Sequence, residues 1–249
     1  MDLNSLPNRD IRTVEDVLSL LDGLFAPSAV RWSEDGADWW DGFYADRDRS
    51  VPFFVAKPDE NLVSYRERGL LPEDGKVLDL GCGPGRNTRY LASLGYEVDA
   101  VDLSATALAW AEERTRELGT ENVRFVHGNA FTSTELDGPY DLVYDSGCFH
   151  HLPPHRRVSY LALLDRVLAP GGHFALTAFA AGEGGMGSEL PDADFYRKGR
   201  LDGGLAFTDD ELRGLFADLT EVEIRRMRDE PAESGRFGEP FLWTGLFRR

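Results

Sequence analysis

The sequence has only two cysteines, Cys82 and Cys148, among 249 residues. Two thiols cannot build a disulfide framework, and no Cys/His cluster has zinc spacing, so no disulfide scaffold and no metal are expected. Positive charge is also scarce: 27 Lys and Arg stand against 44 Asp and Glu, a formal charge of −17. Phosphate recognition depends on clustered cations, so a nucleic-acid substrate is disfavoured and a small molecule is the expected partner. No segment approaches the roughly eighteen consecutive apolar residues of a membrane span, and no basic-then-apolar leader opens the chain. No membrane association is therefore expected, and a reducing cytoplasm is the expected setting. Oligomeric state is left open.

What the sequence does have is a glycine turn behind a strand. Residues 77–86 read Val-Leu-Asp-Leu-Gly-Cys-Gly-Pro-Gly-Arg. Val77, Leu78 and Leu80 form the apolar run of a strand buried on both faces, and Gly81, Gly83 and Gly85 follow at once. Residues 87–94 then predict a helix whose free N–H groups face whatever lies over the glycines. A dinucleotide fingerprint would require glycine where Arg86 stands. Asp79 would repel a pyrophosphate and attract an ammonium. A second strand-like run, residues 96–101, ends in Asp102, where an acid accepts hydrogen bonds from both hydroxyls of a ribose. The implied ligand carries a ribose and an amino group but no diphosphate.

These residues, with Val-Asp-Ala-Val-Asp-Leu-Ser from Val98, resemble the first two motifs of the class I S-adenosylmethionine-dependent methyltransferases. The resemblance implies a small-molecule methyltransferase with an α/β, Rossmann-like, doubly wound fold. Its seven-stranded sheet would be mostly parallel, with an antiparallel C-terminal hairpin and an N-terminal helical cap. It implies S-adenosylmethionine as cofactor and S-adenosylhomocysteine as product. By the same resemblance Asp79, Gly81, Gly83 and Gly85 hold the methionyl end and Asp102 the ribose. Asn129 with Ala130 then reads the adenine, where the family usually has aspartate, and Asp145 with Ser146 takes the amino group. Cys82, Asn87, Leu103 and Trp40 complete the expected cofactor contacts, Cys82 as a packing residue within the turn. A weaker likeness points to the thiopurine and thiol methyltransferase branch.

The organisation expected is a cap over residues 1–70 and a core over 71–249 with a substrate-cover insertion at 180–207. A helix is expected over 14–25. Trp39 and Phe43, and Trp40 and Tyr44, sit four apart, so one helix surface would present four aromatics as a lid touching cofactor and acceptor. Ser104 caps a helix running to Leu118. Strands are expected at 123–127, 140–145 and 173–179, the last preceded by a Pro170-Gly-Gly turn. A helix from Pro153 to Leu168 would turn Val158, Leu161, Leu164 and Leu168 inward. Thr208 with Glu211 forms a capping-box pattern, and closing strands are expected at 220–227 and 241–247.

Methyl transfer from a sulfonium is an in-line displacement in which alignment does most of the work. A base helps when the acceptor is a hydroxyl or an ammonium. His150 and His151 follow the fourth strand, where the acceptor should arrive, and His150 is expected to face the site while His151 bonds within the loop. Tyr44 is the third catalytic candidate. Trp39, Phe43, Tyr44, Phe149, His150, Tyr196 and Arg197 are the expected acceptor contacts, and His155, Arg156 and Arg157 a solvated helix face. Two rivals stand beside this reading: a module that binds the cofactor without transferring its methyl group, and a nicotinamide-dependent oxidoreductase, which Arg86 and Asp79 disfavour.

Overall fold

The structure, a computed structural model, describes residues 11–25, 30–119, 121–201 and 203–249. The parts of the expected cap at 1–10 and 26–29 lie outside the described residues. In chain order the elements are α1 (Val14–Asp22), α2 (Ala37–Ala45), α3 (Glu60–Glu67), β1 (Lys76–Leu80), α4 (Arg86–Ser93), β2 (Glu97–Asp102) and α5 (Ala105–Arg116). They continue with β3 (Val123–His127), β4 (Tyr140–Ser146), α6 (Arg157–Val167), β5 (Leu168–Phe179), α7 (Asp192–Lys198), α8 (Asp209–Leu215), β6 (Thr220–Arg226) and β7 (Leu242–Arg248). The seven strands form one sheet in the order β3-β2-β1-β4-β5-β7-β6. β1 to β5 pair in parallel, and β7 runs antiparallel to both β5 and β6.

Both faces of the sheet are covered, as the unbroken apolar character of β1 and β4 demands. On one face Leu78, Leu80 and Val143 pack with Tyr160, Leu163 and Leu164 of α6 and with Leu212 of α8. On the other, Val77, Leu142 and Leu246 meet Leu62 and Tyr65 of α3, Leu91 of α4 and Leu108 of α5. Within the stretch 1–70, α3 therefore packs into the core beside the sheet. No described helix is long and apolar enough to cross a membrane.

The predicted capping box of Thr208 with Glu211 forms on α8, and a second one, not read in the sequence, joins Thr13 and Asp16 on α1, with Asp16 N–H donating to Thr13 Oγ1 at 3.1 Å. Ser104 Oγ accepts from Ala107 N–H at 3.0 Å at the start of α5. Three expectations need correction. The residues after Pro153 make a single 3₁₀ turn before α6 begins at Arg157. The buried face of α6 is Tyr160, Leu163, Leu164 and Val167, while Val158 is 52% exposed. Tyr160 decides that rotation, because its large ring is buried and its hydroxyl has a carboxylate to reach, Asp145 at 2.7 Å. Finally, Pro170-Gly171-Gly172 lies within β5, which starts at Leu168 and is paired with β4 through a register shift between Tyr140 and Leu142.

Gly85, at the head of α4, has φ of +73°, and a Cβ built there would stand 2.7 Å from the Ala111 Cβ of α5. Its role is close packing of the two helices that follow β1 and β2. Gly85→Ala combines a left-handed backbone penalty with overpacking, so it should destabilise the fold by about 2–4 kcal/mol, read from the urea midpoint.

Candidate active site

The glycine turn, the ends of β1, β2, β4 and β5, and the aromatic helix α2 enclose one cavity of about 390 Å³. It lies at the carboxyl ends of the parallel strands, next to the point where β1 and β4 part the chain order. At its base, Asp102 organises the turn. Its Oδ2 accepts Gly83 N–H at 2.8 Å and its Oδ1 accepts Ser104 N–H at 2.8 Å, while Gly81 and Cys82 donate to Val101 O. Burial raises the pKa of the Asp102 carboxyl above its usual value, and these two N–H donors oppose that rise. Asp79 is buried beside the turn with Thr88 Oγ1 donating at 2.5 Å, and burial pushes its pKa up to about 7.

α2 roofs the turn. Asp41 Oδ1 accepts from Ser104 Oγ at 2.6 Å and from Thr106 N–H at 2.9 Å, which clamps α2 to the start of α5. Tyr44 is thereby held over Gly83, where a Cβ would stand 3.1 Å from the Tyr44 hydroxyl. Burial pushes the Tyr44 pKa well above its ordinary value, so this hydroxyl stays protonated over the turn. Trp39, Trp40 and Phe43 line the same cavity, with Trp39 and Phe43 stacked at 5.4 Å and Trp40 Nε1 donating to Arg31 O at 2.7 Å.

The two histidines differ in which nitrogen is committed. His150 is buried, stacked on Phe179 at 3.8 Å, and its Nδ1 accepts Phe179 N–H at 3.3 Å. Burial holds that ring neutral, so its proton is on Nε2 and the ring can only donate toward the cavity. His151 is the reverse: its Nδ1–H donates to Gly203 O at 2.9 Å, which leaves the lone pair on Nε2. Its pKa is pushed down to about 4 by burial, so it too is neutral. Both rings line the cavity, which corrects the expectation that only His150 faces it.

Asp79, Gly81, Cys82, Gly83, Asn87, Asp102, Leu103, Asn129, Ala130 and Ser146 all line the cavity. Asn129 Oδ1 already accepts Phe131 N–H at 3.0 Å. Gly85, Asp145, Phe149, Tyr196 and Arg197 do not line it, and each has a different task. Gly85 serves helix packing. Asp145 accepts Cys148 N–H at 2.8 Å, Phe149 N–H at 3.0 Å and Tyr160 OH at 2.7 Å, so it shapes the loop that carries the histidines. Phe149 is a core residue against Tyr160, Phe207 and Phe216. Tyr196 OH accepts His155 N–H at 2.9 Å, and Arg197 is an exposed partner of Asp194. Nor are His155 and Arg156 solvated: both are buried against Asp22 of α1, His155 Nε2 at 2.7 Å from Asp22 Oδ1.

One group of site residues went unread in the sequence. Arg86 Nη1 pairs with Asp59, Arg86 Nη2 donates to Ser146 Oγ at 2.8 Å, and its guanidinium lies 4.1 Å over the Phe237 ring. Asp59 Oδ2 also accepts from Asn87 Nδ2 at 3.0 Å, Tyr144 OH at 2.6 Å and Ser146 Oγ at 2.6 Å. The signal was a polar run, Pro58-Asp-Glu-Asn, whose partners lie far along the chain.

The family described as a methyltransferase domain matches residues 77–172. An uncharacterized methyltransferase of Schizosaccharomyces pombe is 38% identical over 118 residues, covering 47% of this chain and 79% of that protein. The chain belongs to the class I S-adenosylmethionine-dependent methyltransferases. A 2-heptyl-1-hydroxyquinolin-4(1H)-one methyltransferase of Mycobacteroides abscessus is 30% identical over 128 residues, 51% of this methyltransferase and 56% of that protein. This chain thus spans little more than half the length of that relative. A structure solved for the conversion of a disulfide bond into a thioacetal group during echinomycin biosynthesis aligns with a TM-score of 0.65. It is 27% identical and covers 86% of this chain and 91% of that one.

The residues present fit the family's cofactor. A side chain at Gly83 would press on the Tyr44 hydroxyl, so the backbone there is bare toward the cavity. Asp102 keeps spare lone pairs on both oxygens for the two hydroxyls of a ribose. Removing the carboxylate that anchors Arg86 leaves a buried cation unpaired. Asp59→Ala should therefore cost about 3–5 kcal/mol of stability, checked by chemical denaturation.

Proposed function

We propose that this methyltransferase acts on a small-molecule acceptor, with His151 as the group that takes the acceptor's proton. The observation that carries the reading is a single cavity. It joins the Gly83–Asp102 cradle to an imidazole whose Nε2 lone pair has no partner among the described residues. Asp79, Gly81, Gly83 and Arg86 with Ser146 would hold the methionyl end, Asp102 the ribose, and Asn129 with Ala130 the adenine. Cys82, Asn87 and Leu103 would pack around it. When bound, S-adenosylmethionine supplies an electrophilic methyl group on a sulfonium.

The chain's own contribution is alignment and dryness. The protonated Tyr44 hydroxyl sits over the turn and presents its oxygen toward the bound cofactor. Trp39, Trp40 and Phe43 exclude water from above. Gly203 O fixes the His151 tautomer, so Nε2 meets the acceptor as a proton acceptor, while His150 can only donate. This division reverses the order read from the sequence. The quinolone relative's named acceptor, a small heteroaromatic molecule, supports the small-molecule reading, as does the chain's excess of negative charge. The two free thiols suit a cytoplasmic setting.

Calorimetric titration should show micromolar binding of S-adenosylhomocysteine and none of NAD. Binding of NAD and not of S-adenosylhomocysteine would overturn this reading of the cradle. Asp102→Ala loses two charge-assisted hydrogen bonds to the ribose and should weaken S-adenosylhomocysteine by about 2–4 kcal/mol in the same titration. The pH profile separates the histidines from an unperturbed one. His151 acts in its neutral form and its pKa is pushed down to about 4. The rate should therefore show no loss from this group as pH falls from 7 to 5, where an ordinary histidine would already be protonated. A decline centred near the ordinary histidine value would count against it.

A further inference from the structure

The cavity has two chemically different halves. One holds the glycine turn with Asp79, Arg86 and Asp102. The other is lined by Trp39, Trp40 and Phe43 of α2 and by Phe53, Phe179 and Phe241. In this second half no carboxylate and no lysine lines the wall among the described residues, and its one guanidinium, Arg31, is stacked 3.8 Å over the Trp39 ring. An acceptor entering here with an ammonium would lose its water without gaining a counter-charge, and a polycarboxylate would meet a single cation, Arg31, in this half among the described residues. Flat apolar faces, in contrast, meet the aromatic rings of α2.

His151 crosses this half from roof to floor. Its ring stands edge-on to Trp40, with centroids 5.1 Å apart and planes at 74°, and edge-on to Phe179 at 6.3 Å and 76°. With Nδ1 spent on Gly203 O, Nε2 is the free acceptor among these rings. A neutral, half-buried imidazole among aromatic rings is a weak base. It suits a proton that is already acidic, as on an aromatic ring hydroxyl, an N-hydroxy group or a ring N–H, and not that of an aliphatic alcohol or an alkylammonium.

We propose that the acceptor is an uncharged, flat aromatic or heteroaromatic molecule, packed against the aromatic face of α2, whose acidic ring O–H or N–H is bonded to His151 Nε2. This rests on the methyl-transfer reading above. In the transfer, the acceptor oxygen or nitrogen gains a bond to the methyl carbon while the carbon–sulfur bond breaks and its electron pair stays on sulfur. The acceptor's proton passes to His151 Nε2 and then to water. Trp40 positions the acceptor, and His151 is the catalytic residue.

The test uses the full chain and begins with S-adenosylhomocysteine affinity by calorimetry. With that ligand saturating, 1-hydroxyquinolin-4(1H)-one and 1-naphthol are titrated beside sarcosine, trans-aconitate and dithiothreitol. The two aromatic probes should bind at least about 50-fold more tightly than the other three. Methyl transfer to their ring oxygen should follow. His151→Gln should leave S-adenosylhomocysteine affinity within twofold and lower kcat for the aromatic probes by about 10²-fold or more, with KM little changed. Trp40→Ala should instead weaken binding of the aromatic probes about tenfold in the same calorimetric assay. Preference for sarcosine, trans-aconitate or the dithiol overturns the proposal, as does a His151→Gln enzyme with near-full kcat. S-adenosylhomocysteine bound normally with neither aromatic probe bound also overturns it, while leaving methyl transfer standing. Failure to bind S-adenosylhomocysteine at all removes the methyl-transfer reading and this proposal together.

Discussion

The buried carboxylate of Asp59 is the constraint on which the rest depends. It takes the Arg86 guanidinium, the Asn87 amide, the Tyr144 hydroxyl and the Ser146 hydroxyl, which fills the roughly four acceptor positions a carboxylate has. These donors come from the start of α4 and from β4, so one side chain ties the helix behind the glycine turn to the neighbouring strand. The backbone around it is anchored as well: Phe237 N–H donates to Pro58 O at 2.7 Å and Glu60 N–H to Phe237 O at 2.8 Å. The segment before β6's partner strand is thereby fastened to the floor of the cavity. A saturated network of this kind rigidifies its members, whereas one missing donor would leave a charge stranded.

Charge organisation around the site follows a consistent division. Carboxylates with several donors gather where a sugar and an amino group would sit. Aromatic rings gather where the reaction partner would enter. Tyr44 and the two histidines line the same cavity. α1 and α2 are held by polar clamps: Asp41 on the α5 N-terminus, and Asp22 on Trp32, His155 and Arg156. Strong directional contacts therefore fix the roof, and the surface it offers to the cavity stays largely apolar.

The parts of this arrangement that were legible in the sequence are those whose physics is local. The glycine turn, Asp79 and Asp102 fall on one strand–turn–helix–strand unit, so spacing alone located them, and the capping box at Thr208 and the Ser104 cap were readable for the same reason. Asp59 was not readable, because its burial comes from Asn87, Tyr144 and Ser146, all at least 28 residues away. The tautomers of the two histidines were unreadable for the same reason. Which nitrogen carries the proton is set by Gly203, 52 residues on, and by Phe179, 29 residues on. Phe149 looked like a site residue because its neighbours are, yet adjacent positions in a tight turn point in different directions. The face of α6 was misjudged because aliphatic spacing was counted and Tyr160 was not.

The strand order also sets a sequence of events during synthesis. β7 is the last of the seven strands to be made, yet it lies between β5 and β6. Until it emerges, β5 presents a bare row of backbone donors and acceptors, and β6 has nothing to pair with. The nascent chain thus waits with an open apolar edge at β5 that only its own final strand closes. β6 becomes the outer border once closure occurs, and it carries Glu221, Glu223, Arg225 and Arg226, charges that discourage a second molecule from adding to the sheet.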